Sequence, residues 1–263
     1  MNCKICNHIS PSIFTAKVLN KYEVGYYRCD CCGFIQTDEP YWLEEAYRSA
    51  ITSLDIGLLS RNIILLPITS ALIKCYFNPS PKFVDYGGGY GIFTRLMRDK
   101  GFDFYRQDVY CKNLFAKSFD ISDIKMDGKF ELLTAFEVFE HLTNPNEELK
   151  KMLQLSDNIF FSTELVPKGV VNKDDWWYFI PETGQHIALH TVSSLKHLAK
   201  QHNLNFYSNG KNLHLLTKKK LKAKAFKLLM NFRIAKVVDI LKRRSKTLLH
   251  KDYQAILQQI HQD

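Results

Sequence analysis

At 263 residues the chain can bury one main domain with appendages, and its 46% hydrophobic and 13% aromatic content excludes a disordered polymer. The net charge of +9 is unevenly placed: residues 218–246 hold twelve Lys or Arg against Asp239 alone, so the remainder sums to −2. A near-neutral body argues against a protein that grips nucleic acid over its whole surface.

The first segment, residues 1–38, is defined by cysteines. Seven occur in the chain, at 3, 6, 29, 31, 32, 75 and 111. Cys3-x-x-Cys6 and Cys29-x-x-Cys32 have the spacing of a structural zinc ribbon, because each turn aims two thiolates at one metal. Cys31 could replace Cys29 or Cys32. Disulfides are the competing explanation. Met1-Asn2-Cys3-Lys4 runs into the motif without an apolar signal region, so a reducing cytoplasm and zinc are expected. With four sulfur ligands, the site is closed and structural rather than catalytic.

Residues 39–80 read as a helical linker and cap. Trp42, Leu43, Ala46 and Tyr47 recur at helical steps. The apolar stretch 56–77 contains Arg61, Pro67 and Lys74, which predicts a buried or cofactor-covering helix pair rather than a membrane span. Pro79 and Pro81 then mark the boundary of a main domain over 81–217. There the pattern alternates: strand 83–85, helix 91–100 stopped by Gly101, strand 104–109, and a poorly defined third segment near 112–124. Strand 130–136, helix 145–155 and strand 158–162 follow. A long aromatic loop, helix 191–201 and a hairpin of 204–208 with 213–217 across Asn209-Gly210 complete it. The expected fold is α/β, a Rossmann-like, seven-stranded, mostly parallel sheet with one antiparallel edge strand.

The most specific signal is Asp85-Tyr86-Gly87-Gly88-Gly89-Tyr90-Gly91, placed between a strand and a helix. Glycines allow positive φ and let backbone amides approach a polar ligand. A dinucleotide fingerprint would need glycine or alanine three residues after Gly89, where Ile92 stands. The spacing Asp-x-Gly-x-Gly-x-Gly resembles motif I of class I S-adenosylmethionine-dependent methyltransferases. That resemblance implies a donor site formed by Asp85, Gly87, Gly89 and Gly91. Asp108, twenty-three residues after Asp85 at the end of the second strand, is the expected ribose ligand.

The segment Phe136-Glu137-Val138-Phe139-Glu140-His141-Leu142 resembles the motif after strand four in small-molecule O-methyltransferases of quinone biosynthesis and many sugar methyltransferases. It implies that Phe136 touches the cofactor and that the segment faces the donor methyl. Glu137, Glu140 and His141 also have the character of a divalent site for Mg²⁺, Mn²⁺ or Zn²⁺. The competing role is structural, with Glu140 capping the turn and His141 orienting the loop. His186, in Pro181-Glu182-Thr183-Gly184-Gln185-His186, is expected over the same pocket as a general base or a further metal ligand. The catalytic candidates are therefore His186, Glu140 and His141. Adjacent Trp176 and Trp177 cannot both face one core, so one is expected to line an opening suited to a sugar or quinol ring.

The ribbon, the Glu-His motif and the Trp-Trp-Tyr…Glu-Thr-Gly-Gln-His run together resemble bacterial surface-polysaccharide and deoxysugar methyltransferases over about residues 1–217. The implied activity is methyl transfer from S-adenosylmethionine to a hydroxyl of a glycan, nucleotide-sugar or lipid-linked sugar. Residues 218–263 read as one or two basic amphipathic helices. Over 218–246 they suit an anionic membrane surface, so a cytoplasmic protein peripheral to the inner face of the membrane is expected. An RNA methyltransferase using ribbon and tail is one rival reading. A non-catalytic cofactor-binding scaffold is the other.

Overall fold

A computed structural model describes residues 1–49, 51–170, 172–242 and 246–261. Arg243 and Arg244 of the basic run lie outside the described residues. The ribbon forms from β1 (Ser12–Val18), β2 (Tyr22–Arg28) and β3 (Ile35–Thr37), paired antiparallel in sequence order. A fourth strand comes from far along the chain: β8 (Ala188–Leu189) pairs antiparallel with β3, Ile35 opposite Leu189 and Gln36 opposite Ala188. The ribbon sheet is therefore closed by the segment that follows His186.

The predicted helix pair over 56–77 is instead one continuous helix, α2 (Leu58–Tyr76), preceded by the short α1 (Leu43–Ala46). Pro67 lies inside α2 and removes one internal hydrogen bond, but Leu65 and Ile68–Ile73 are buried around it, and that packing holds the helix together. Among the described residues α2 alone is long and apolar enough to cross a membrane. Its C-terminal half is buried in the protein core.

Among the described residues the main sheet has six strands, ordered β5-β4-β6-β7-β10-β9. These are β4 (Phe83–Tyr86), β5 (Phe104–Gln107), β6 (Leu133–Phe136), β7 (Asn158–Ser162), β9 (Asn205–Ser208) and β10 (Leu213–Thr217). Two expectations are corrected. Among the described residues, the third segment near 112–124 makes only a single bridge, Arg106 to Asp120, because Asn113 and Asp120 use their side chains to cap local turns that compete with a ladder. And the reversed strand is not at the edge: β10 runs antiparallel between β7 and β9, and β9 is the edge.

Alternate strand residues feed two cores. Phe83, Phe104, Phe160 and Leu215 face α2 and α3 (Ile92–Asp99), while Val84, Leu133, Phe161 and Leu216 face α4 (Pro145–Leu155) and α5 (Val192–Gln201). Period-two alternation over fully buried strands forms this three-layer arrangement, and it leaves the carboxyl ends of β4, β5, β6 and β7 open at one rim.

Among its described residues the tail makes three helices rather than one or two: α6 (Ala223–Leu229), α7 (Phe232–Leu241) and α8 (Leu249–Ile260). They dock on the body through buried ion pairs. Asp239 receives Lys74, Lys100 and Ser70. Asp252 accepts the Nε–Nη2 edge of Arg98 through both of its oxygens.

Candidate active site

A cleft of about 1010 Å³ opens at the carboxyl ends of the parallel strands. That volume lies at the top of the range for a single small-molecule site, and so leaves room for a second reactant. Asp85, Gly87, Gly89, Asp108, Phe136, Glu137, His141 and His186 all line it. Glu140 lies fully buried beneath its wall, and Gly91 stands behind the glycine turn, against Asn113 and Ala116.

The turn is built as glycine requires. Gly87, Gly89 and Gly91 have φ of +67°, +54° and +85°. A Cβ on Gly87 would come within 2.7 Å of Val138 Cγ2. The Gly87 and Gly88 amides donate to the Gln107 carbonyl, tying the turn to β5. Asp85 is buried beneath the turn, accepting from Thr134 Oγ1 at 2.7 Å. Burial, reinforced by Asp108, pushes its carboxyl up to about 7. Asp108 lies just after β5 and accepts from the Gly89, Tyr110 and Cys111 amides at 2.9, 2.8 and 2.7 Å. Three amides fix its carboxylate at the cleft wall; Oδ1 takes two of them and Oδ2 one, so Oδ2 keeps capacity for a further donor.

Across the cleft, the turn after β6 presents the Glu-His motif. Glu137 has φ of +53°, a left-handed conformation costly for a residue with a β-carbon. Ser162 holds it there: Ser162 Oγ accepts from the Glu137 amide at 2.9 Å and donates to its carboxylate at 2.6 Å. Tyr178 Oη stands between two carboxylates, 3.0 Å from Glu137 Oε2 and 2.6 Å from Glu140 Oε1. One phenolic proton satisfies only one of them, so a further proton or a cation is needed in the cluster. Burial and the neighbouring Glu137 push Glu140 up to about 8. Its Oε2 is buried without a partner, as is the nearby Thr163 Oγ1.

Glu140, His141 and His186 each offer one ligand atom within 4.8 Å of the others. His141 Nδ1 faces the Gln185 carbonyl at 3.1 Å, and His186 Nδ1 faces the Tyr178 carbonyl at 2.6 Å. A carbonyl only accepts, so both rings carry their proton on Nδ1 and expose a bare Nε2 lone pair. The rings are 5.0 Å apart. Burial keeps both imidazoles below their ordinary range, and so uncharged. Two neutral imidazoles with fixed tautomers beside one carboxylate form a two-histidine, one-carboxylate donor set. Glu137 is outside that set, its oxygens engaged by Ser162 and Tyr178.

The aromatic loop divides as steric reasoning predicts: Trp176 is 7% exposed and buried, whereas Trp177 is 71% exposed and lines the cleft. Three features were not singled out from the sequence. Tyr178 is the bridge between the carboxylates. Tyr47 and Tyr110 stack at 4.7 Å on the cleft wall. Arg61, paired with Asp55 at 2.7 Å, stands at the α2 end. Only the Trp-Trp-Tyr-Phe run carried a sequence signal for any of them.

At the far side of the ribbon, the four sulfurs of Cys3, Cys6, Cys29 and Cys32 lie within 4.8 Å of one another. Cys3–Cys32 is 3.6 Å and Cys6–Cys29 is 3.4 Å, too long for disulfides. Cys31 is exposed and points towards Cys6 and His8 rather than into the four-sulfur group.

Comparison with known proteins identifies the family. The family described as Methyltransferase domain matches residues 64–209, more than half of the chain. No curated protein matches. Among solved structures, the magnesium protoporphyrin IX methyltransferase of Synechocystis PCC 6803 with bound SAH is 12% identical, covers 68% of this chain and 96% of its own, and superposes with a TM-score of 0.47. The plantazolicin methyltransferase BpumL in complex with SAH is 13% identical over 67% of this chain and 94% of its own, with a TM-score of 0.46. An O-methyltransferase family protein from Burkholderia thailandensis is 10% identical over 62% of this chain and 57% of its own, with a TM-score of 0.45. The family match covers the glycine turn, the Glu-His motif and His186: the chain belongs to the methyltransferase-domain family.

Proposed function

We propose that this chain transfers the methyl group of S-adenosylmethionine to a hydroxyl of a sugar, carried on a glycan, a nucleotide or a lipid. The observation that carries the reading is the pair of bare Nε2 atoms on His141 and His186, opposite the glycine turn in one cleft. Gly87 and Gly89 allow backbone approach to the donor, Asp108 would accept from its ribose hydroxyls, and Phe136 would contact it. Trp177 offers a flat apolar face for the C–H surface of a sugar ring.

The sulfonium donor is already activated, so positioning supplies most of the rate. The acceptor oxygen bonds to the methyl carbon as the carbon–sulfur bond breaks, and the electron pair stays on sulfur. The hydroxyl proton passes to a bare Nε2, which the carbonyl hydrogen bond on Nδ1 keeps ready to accept it. Glu140, His141 and His186 also fit a divalent ion, because the orphaned Glu140 Oε2 and the fixed tautomers are what such a ligand set needs. A bound ion would lower the acceptor pKa. In the ribbon, tetrahedral Zn²⁺ with bonds of about 2.3 Å separates its sulfurs by about 3.8 Å, close to the distances found. Cys3, Cys6, Cys29 and Cys32 would hold it as a structural ion.

The test combines calorimetry with donor and demethylated donor and turnover of labelled donor on cell-envelope glycan precursors. Donor binding with label incorporation that falls at least tenfold in His186→Ala and His141→Ala supports the reading. Absence of donor binding by folded protein overturns it.

A further inference from the structure

The basic tail is not a loose extension, and its outward face has the wrong polarity for water. α7 is seated by Asp239, whose side chain is 4% exposed and receives Lys74 and Lys100. Phe226, Leu229, Met230 and Ala235 anchor the same unit in the core under α2. With that face committed, the opposite face of α7 should be polar. It carries Arg233, Lys236, Val237, Ile240 and Leu241 instead, and the last three are 54%, 55% and 79% exposed. On α6, Leu228 is 59% exposed, one residue after Lys227 and one turn after Lys224. Lys218 and Lys219 are neutralised by Asp157 and Glu131. Among the described residues, Lys220, Lys222, Lys224, Lys227, Arg233 and Lys236 have no acidic partner.

We infer that α6 and α7 form a rigid docking surface for an anionic lipid bilayer. Aliphatic side chains set among unpaired cations match the two layers such a surface presents: acidic headgroups, and the acyl boundary just beneath. Single-stranded RNA would want exposed aromatic faces for stacking, and between Lys218 and Lys242 only Phe232 is an exposed aromatic, at 37%. A second copy of the chain would bring a second set of unpaired cations against the first. Charge complementarity therefore selects the bilayer.

α2 connects this surface to the cleft. Ser70 and Lys74 bind Asp239, while Leu58, Arg61 and Asn62, about 18 Å earlier along the helix axis, line the cleft. At that cleft end α2 exposes Leu59, Ile63 and Ile64. Docking would hold the cleft mouth near the membrane, where an acceptor with a lipid carrier lies. This last step rests on the reading of the cleft given above; the docking itself does not.

The experiment is flotation of the full chain with phosphatidylcholine vesicles, with and without phosphatidylglycerol, at low and high salt. Wild type should float only with the anionic vesicles. Each of Lys224→Glu, Lys227→Glu and Lys236→Glu should weaken binding by about fivefold or more, and Val237→Ser with Ile240→Ser should remove the binding that survives salt. All five residues point outward, so thermal unfolding should be unchanged, and donor binding by calorimetry should stay at wild-type strength. No flotation overturns the inference, and so does flotation indifferent to Val237 and Ile240. Retention on RNA without flotation, or a dimer dispersed by Ile240→Ser, also overturns it. Normal donor binding in a protein that does not float would sink the docking surface and leave the catalytic reading standing.

Discussion

Arg98 and Asp252 offer a quantitative test of how the tail is attached. Their side chains are 3% and 4% exposed, and Arg98 Nε and Nη2 donate to the two Asp252 oxygens at 2.8 and 2.7 Å. Arg95 adds a contact at 2.8 Å, and the Arg98 guanidinium lies 3.7 Å over the Phe119 ring. Removing one partner of a buried pair leaves an uncompensated charge and costs about 3–5 kcal/mol. Asp103, at 2.6 Å from Arg98 and partly exposed, remains as a second counter-ion. The expected loss for Asp252→Ala is therefore about 3 kcal/mol, or a melting temperature lower by roughly 6–12 °C. Ending the chain before α8 should cost less, although it removes more contacts. Water then reaches Arg98, and α8 contributes only the half-buried Ile256 and Leu257, whose burial is offset by the entropy of ordering its twelve residues. Guanidinium unfolding with linear extrapolation measures both. If truncation destabilises more than Asp252→Ala, the buried-charge reasoning is wrong.

Gly87→Ala should abolish donor binding in a protein that still folds, because the new Cβ meets Val138 at 2.7 Å in a left-handed turn; calorimetry checks it. Asp108→Ala removes charge-assisted acceptors and should weaken donor binding by about ten- to hundredfold. Asp85 is raised from 3.8 to about 7 by burial, so its protonated form stabilises the fold. That stabilisation is fully present below pH 3.8 and is lost as pH rises through about 7, by at most about 4 kcal/mol. Asp85→Asn should flatten the fall in stability over that window, and thermal melts at several pH values read it; an unchanged slope refutes the assignment. Chelation of a zinc-loaded preparation should slow methyl transfer while leaving donor affinity intact, and equal loss of both would count against a role confined to the acceptor side.

The sequence was legible where local chemistry dictates structure. Asp-x-Gly-x-Gly-x-Gly has few uses other than a strand–turn–helix that receives a ligand, and the order of strands and helices after it follows the alternation of apolar residues. The seventh strand was overcounted because residues 112–124 carry enough apolar side chains to resemble a strand, yet Asn113 and Asp120 use their side chains to cap turns instead. The reversed β10 was misplaced at the edge because hairpin signals report which strands pair, not on which side the pair docks. Tyr178 could not be found from spacing: its role depends on a loop bringing it against two carboxylates 38 and 41 residues away.

The same long-range logic explains why a cysteine ribbon is joined to this catalytic domain. His186 sits on a loop, and loops position side chains poorly unless both flanks are held. On one flank Trp42 Nε1 donates to the Gly184 carbonyl at 2.8 Å, and Gln185 Nε2 to the Ala46 carbonyl at 2.9 Å. On the other, β8 pairs with β3 of the ribbon, and Thr191 Oγ1 donates to the Cys32 carbonyl at 2.6 Å. Ile187 N–H donates to the Glu140 carbonyl at 2.9 Å, which locks the loop to the Glu-His turn itself. The cysteine knuckle thus anchors the strand that follows His186, and the cap anchors the residues that precede it. Neither touches the glycine turn through these bonds. An arrangement of this kind separates the two halves of the cleft physically: the parallel sheet fixes the donor side, whereas the ribbon and cap set the distance between the two bare Nε2 atoms on the acceptor side.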